Sequence, residues 1–218
     1  MQLVDNVYQV PGVIANVYVV TDPDGVTLVD TGLPYNHGRI VAYLARLGQP
    51  AAAVRRILVT HADRDHMGSV KALQALTGAR VYASALEGAA MARGQETRRL
   101  NVPPGLRLAF WVLRRFVFAA APPAAADESL TDGQVLPVLG GLQVLATPGH
   151  TPGHVSFYAP AAGVLFAGDS LRVLGGRLRV SSGPNTADAA AAAASASRQL
   201  ALRPHLICAG HGAALLLG

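Results

Sequence analysis

Four apolar runs in this chain each end on a side chain that can bind a metal ion, and that recurrence limits the fold more than any other feature. Ile57-Leu58-Val59-Thr60 runs into His61, and Leu142 to Thr147 leads through Pro148-Gly149 to His150. Val164 to Gly168 ends at Asp169, and Leu206 to Gly210 ends at His211. Short, continuous apolar runs rich in β-branched residues read as buried strands. In sheets covered by helices, ligands gather beyond the carboxyl ends of the strands. Four strands that each deliver a ligand to their end call for an architecture with one shared active edge.

The remaining segments fit such an architecture. Short strands at 7–10, 17–21 and 26–30, parted by Pro-Gly and Asp-Pro-Asp-Gly turns, predict an antiparallel meander. A helix over 38–47 ends at Gly48, a strand covers 56–60, a second helix runs over 68–76 to Gly78, and 81–83 is a short strand. Strands resume at 134–138, 142–146, 155–159 and 164–167. An alanine-rich helix capped by Asn185 or Thr186 follows, then a last strand at 206–209. Segments 25–33 and 163–171 look alike, a weak sign of duplication. Between the two batches, 84–126 reads as a helical insert: Leu106, Phe110, Leu113 and Val117 recur at helical spacing, with Arg107 and Arg114 on another side. The expected class is α/β, with two sheets packed face to face, helices outside, and residues 1–218 forming one domain.

Composition removes several functions. Hydrophobic residues make up 51% of the 218 and charged residues 14%, which excludes a disordered tail. Cys208 is the sole cysteine, so neither an internal disulfide nor a thiolate metal site is available. The formal charge of +5 is carried by scattered arginines, Lys71 being the only lysine, which argues against a nucleic-acid partner. No basic and then apolar leader opens the chain, and 106–126 is broken by arginines and prolines. No membrane span is expected, and cytoplasm is the expected compartment.

The densest piece is Thr60-His61-Ala62-Asp63-Arg64-Asp65-His66-Met67-Gly68, four potential ligands in six residues on a strand-to-helix turn. His and Asp suit zinc and harder divalent ions. Taken singly, Asp63 or Asp65 could cap the following helix. As a set with His150, Asp169 and His211, they point to a metal centre.

These motifs in this order resemble the metallo-β-lactamase superfamily: Asp30-Thr31-Gly32, His-x-x-x-Asp-His, Pro-Gly-His-Thr-Pro-Gly-His, Gly-Asp and Gly-His-Gly. The resemblance implies an αββα sandwich of two mixed sheets with helices on both outer faces. It implies two divalent ions, zinc or else manganese or iron, one on His61, Asp63 and His150 and the other on Asp65, His66 and His211, with Asp169 between. It further implies hydrolysis by a metal-bridged hydroxide, with Asp65 as the catalytic carboxylate that orients water and carries its proton. Asp30 would orient ligands from behind, with His154 in a similar supporting or core role. Asp63 stands where the family usually has histidine. With Asp63, Asp65, Asp169 and a hydroxide, two divalent ions come to a formal charge of zero, which predicts weakened attraction for anions.

A small molecule is the expected substrate: a carboxylic ester, lactone or thioester. The alternatives are a phosphodiester, as for a ribonuclease Z-like nuclease, or a ligand held without turnover. His37, Phe110 and Trp111 are candidate substrate contacts, although the apolar face of the insert could equally meet a second copy of the chain in a homodimer.

Overall fold

The computed structural model describes residues 1–97, 104–106, 108 and 120–217. Its first sheet has seven strands in sequence order: β1 (Gln2–Val4), β2 (Val7–Gln9), β3 (Tyr18–Asp22), β4 (Gly25–Val29), β5 (Val54–Leu58), β6 (Arg80–Ser84) and β7 (Glu128–Leu130). Strands β1 to β4 form the expected meander, and β4 to β7 run parallel. The second sheet is built from β8 (Val135–Leu136), β9 (Leu142–Ala146), β10 (Val155–Ala159) and β11 (Val164–Gly168), all antiparallel neighbours. A separate hairpin, β12 (Leu171–Leu174) and β13 (Arg177–Val180), intervenes before β14 (Leu206–Ala209) and β15 (Leu215–Leu216) complete that sheet. Strand β14 lies parallel to β11.

Three apolar layers define the order αββα. Val19, Leu28, Ile57 and Val81 of the first sheet pack on α1 (His37–Arg46), α3 (Val70–Thr77) and α4 (Ala85–Met91) through Ile40, Leu44, Leu73 and Met91. Between the sheets, Val20, Val29 and Leu58 meet Val144, Phe157, Phe166 and Cys208. On the far side Leu145, Leu165 and Ile207 pack against Ala196 of α5 (Ala189–Ala201). Phe157 and Phe166 are wholly buried, and each contributes about 1.5–3 kcal/mol by burial alone.

The architecture is a sandwich of two mixed sheets with helices on both outer faces, as expected. Several details differ. The helix expected over 68–76 is α3, and a further short helix, α2 (Arg64–Met67), precedes it with Gly68 and Ser69 between them. The alanine-rich helix is capped by Asp188, whose carboxylate accepts from the Ala191 N–H; Asn185 closes a 3-10 turn instead, and Thr186 follows it. Of the expected 84–126 helical insert, residues 98–103, 107 and 109–119 lie outside the described residues. The segment opens with α4, which belongs to the outer layer, and near its end Ala121 and Ala124 pack into the first core without helical structure. Phe110 and Trp111 lie outside the described residues.

Candidate metal centre

Parallel pairing gathers the strand ends. Strands β4 and β5 are parallel neighbours in one sheet, β11 and β14 in the other, so Asp30, His61, Asp169 and His211 all follow carboxyl ends at one edge. His150 arrives in the turn after β9, while Asp63 is the residue before α2 and Asp65 and His66 lie within it.

The side chains converge. Ligand atoms of His61, Asp63 and His150 lie within 4.8 Å of one another, and so do those of Asp65, His66 and His211 and those of His61, His66 and Asp169. Asp63 has the backbone of a helix cap, yet its carboxylate makes no cap hydrogen bond; Oδ2 lies 3.2 Å from His150 Nε2 and 3.5 Å from His61 Nε2. Asp169 is central: one or other of its oxygens is 3.5 Å from the Nε2 of His66, His150 and His211. Asp65 and His211, 3.4 Å apart, are partly exposed and form the open side.

Hydrogen bonds fix which ring nitrogen faces inward. The Thr60 hydroxyl donates to Asp30, so His61 donates through Nδ1 to the Thr60 oxygen at 2.9 Å. His66 donates through Nδ1 to Asp30 Oδ2 at 2.8 Å, and His211 through Nδ1 to the Ile14 carbonyl at 3.2 Å. In its neutral form each ring turns an Nε2 lone pair toward carboxylate oxygens, an arrangement that calls for a cation, a proton or a metal ion, between them. Among the buried atoms without a hydrogen-bond partner are His61 Nε2, His66 Nε2 and Asp169 Oδ1. Buried polar atoms without partners are rare, and these three share a point. The donor set of imidazole and carboxylate fits a divalent metal.

In the metal-free chain a proton supplies that cation at His66. Burial disfavours charge on His66, but Asp30 and Asp169 outweigh it and raise its pKa well above the ordinary value. Burial likewise works against ionised Asp169, yet His66, His211 and His150 hold its carboxyl well below the usual range. Burial pushes His150 down to about 4, so that ring is neutral and able to ligate.

Of the supporting residues, Asp30 adopts a left-handed backbone (φ 59°) and accepts from the Thr60 N–H, the Thr60 hydroxyl and His66. His154 is held from both sides: its Nδ1 meets Thr147 Oγ1 and its Nε2 accepts the Asp169 N–H, so it braces the backbone of Asp169. His37, by contrast, directs its ring to the Pro34 carbonyl and its N–H to Ser69.

Two residues at this edge are absent from the sequence reading. Arg172, three residues after Asp169, places Nη2 3.1 Å from Asp169 Oδ2. It adds a cation that the charge count drawn from the sequence did not include. Glu87, fully buried in α4, bonds to the loops that carry His61 and His150. The Ser84-x-x-Glu87 spacing was its only signal, and that spacing reads as local helix capping.

The sequence matches the family model described as the metallo-beta-lactamase superfamily over residues 10–211. It is similar to the uncharacterized protein YobT of Bacillus subtilis, at 32% identity over 74% of this chain and 64% of that protein. It is 29% identical to the probable metallo-hydrolase YflN of the same organism, over 91% of this chain and 81% of YflN. It is 34% identical to a hydroxyacylglutathione hydrolase of Pseudomonas putida over 65% of this chain, yet spans only 42% of that enzyme's length. Among solved structures, a metallo-beta-lactamase family protein of Thermus thermophilus superposes with a TM-score of 0.74 at 28% identity, covering 99% of this chain and 76% of that one.

Proposed function

The chain belongs to the metallo-β-lactamase superfamily, and from that premise we propose that it is a hydrolase of carboxylic esters, lactones or thioesters that works with two divalent metal ions. The described elements from β1 to β15 enclose this one centre, and we take residues 1–218 as one domain. One observation carries the reading: three imidazoles, already fixed from behind through Nδ1, turn Nε2 onto Asp63, Asp65 and Asp169. His61, Asp63 and His150 would hold one ion, Asp65, His66 and His211 the other, with Asp169 shared. Zinc is the first choice for this donor set, with manganese or iron suited to the added carboxylate. The thioester option gains support from the hydroxyacylglutathione hydrolase relatives.

Bound divalent metal supplies Lewis acidity, which acidifies water and polarises a carbonyl oxygen. The chain's own groups do the rest. Asp65 lies on the open side, where its carboxylate can accept a hydrogen bond from the attacking water and pass the proton to the leaving group. The rings of His61 and His66 are held in one orientation by Thr60 and Asp30, so the site needs little rearrangement before the reaction. Arg172 keeps positive charge beside Asp169, where it would favour a substrate oxygen that gains negative charge.

Metal content of the purified protein, with a screen of chromogenic esters, thioesters, lactones and phosphodiesters, tests this. The expected result is close to two ions per chain and carboxylic-ester or thioester turnover that chelation abolishes. Absence of turnover after zinc or manganese is supplied would overturn it, and a preference for phosphodiesters would replace the substrate class.

A further inference from the structure

Glu87 is a carboxylate with no exposed surface, and among the described residues it is paired with no cation. Four donors satisfy it. Its Oε2 accepts the Ala62 N–H at 2.8 Å, between His61 and Asp63. Its Oε1 accepts the Thr151 hydroxyl at 2.7 Å and the Gly153 N–H at 3.0 Å, on the turn that carries His150. The Thr97 hydroxyl, in the segment after α4, lies 2.9–3.0 Å from both oxygens.

A glutamate three residues after a capping serine ordinarily folds back on the cap's own N–H. Here Ser84 caps α4 through Glu87 N and donates its hydroxyl to the Gly153 carbonyl, while the Glu87 side chain leaves the helix altogether. Both members of the cap are thus committed to the Pro-Gly-His-Thr-Pro-Gly-His turn. A buried polar side chain needs its hydrogen bonds made, and here they are made to two separate ligand-bearing loops. Held by one carboxylate, the two loops cannot move independently, and Asp63 Oδ2 and His150 Nε2 keep their 3.2 Å separation.

We propose that Glu87 is the positioning residue that sets the spacing of the His61–Asp63–His150 trio and ties the segment around Thr97 to it. Arg64, within the same ligand loop, binds Glu96 at 3.1 Å, so the chain entering residues 96–97 is fastened to that loop at two points. The inference rests on the metal-hydrolase reading for its function, but the clamp itself is a property of the metal-free chain.

Two measurements on Glu87→Gln and on Thr151→Val, which deletes a single donor, test it. In metal-free protein, hydrogen exchange is expected to quicken at Ala62 and Gly153 while the cores keep their protection. In zinc titrations against a chromophoric chelator, one ion is expected to bind roughly tenfold more weakly, as for other residues that orient ligands, while the second keeps its affinity. Unchanged local exchange in both variants overturns the clamp, and uniform loss of protection assigns Glu87 to the core alone. Equal weakening of both ions would show that the effect is not confined to this trio. Failure of the unsubstituted protein to bind zinc would sink the metal reading, and the exchange data would still decide the clamp.

Discussion

The guanidinium of Arg172 stands 3.1 Å from Oδ2 of Asp169, the same oxygen that lies 3.5 Å from His150 Nε2. Arg172 lies on β12 directly across from Arg179 on β13, so two cations share one face of the hairpin. Directly opposed like charges destabilise a hairpin unless something answers them. Asp169 answers Arg172 and so brings one of the two cations to the site. Arg172→Ala is therefore expected to weaken binding of small anions such as phosphate or succinate to the metal-loaded protein by about fivefold, the scale of a partly exposed charge pair. Calorimetric titration of both proteins at two salt concentrations reads this, and equal affinities would show that Asp169 consumes the whole charge.

Asp30 meets His66 Nδ1 at 2.8 Å and two donors of Thr60 as well. Asp30→Asn keeps the size but offers an amide where His66 needs an acceptor, which frees the ring to turn or to change tautomer. Affinity for metal at Asp65, His66 and His211 is expected to fall about 10–100-fold, the usual effect of losing such a partner. Stability should drop by about 1–3 kcal/mol, because the Thr60 donors remain buried. Chelator competition and chemical denaturation check the two numbers separately. A variant that lost stability with unaltered metal affinity would confine Asp30 to the fold.

Cys208 on β14 is wholly buried between the sheets, and burial pushes its thiol pKa up. The thiolate is the reactive form, so a disulfide reagent at pH 8 should label no cysteine in the native protein and one per chain in denaturant. Fast labelling without denaturant would mean that β14 opens readily, which would in turn loosen His211.

Asp132 accepts from the Ala146 N–H at 2.8 Å and from Arg198 on α5. Burial alone would raise its pKa; those two partners outweigh it and leave the carboxyl below its ordinary value. A depressed folded pKa contributes stability above the unfolded value of about 4 and loses it as pH falls through the folded one. Denaturation midpoints of the unsubstituted protein should therefore fall more steeply below pH 4 than those of Asp132→Asn. Asp132 and Arg198 are both exposed, so the difference should stay under about 1 kcal/mol. Parallel curves would leave Asp132 without a net role.

How much of this could be read in advance depended on range. The apolar runs that lead into His61, Asp169 and His211 are local signals, and so are the residues that end them. The sandwich followed from them. Glu87 and Arg172 act through contacts whose direction the sequence does not encode: Ser84-x-x-Glu87 looks like a cap, and Arg172 like one more surface cation. The hairpin β12–β13 did carry a signal, the Gly175-Gly176 pair, whose φ angles of 57° and 73° suit a two-residue turn. Asp188 displaced the expected caps because its side chain reaches Ala191, whereas Asn185 is used up in a 3-10 turn.

Gly210 shows how closely backbone must approach the centre. It precedes His211, and its carbonyl and that of Ala209 are held by the N–H of Asn16 and by the Asn16 and Tyr18 side chains. A Cβ at this position would stand 2.2 Å from Asp169 Oδ1 and 2.9 Å from the Gly168 carbonyl carbon and His66 Cε1. None of the three can yield: the backbone of Gly168 is part of β11, His66 is fixed by Asp30, and Asp169 is braced by Arg172 and His154. Overpacking of this kind costs about 1–3 kcal/mol in a rigid interior. Gly210→Ala is thus expected to displace His211 outward on the side already open to solvent. Metal binding at Asp65, His66 and His211 should suffer more than the fold does. Zinc stoichiometry near one with a melting temperature only a few degrees lower is the expected outcome. Two ions bound at unchanged affinity would mean that the loop around His211 yields more easily than its hydrogen bonds imply, and that this ligand is held by the metal rather than delivered to it.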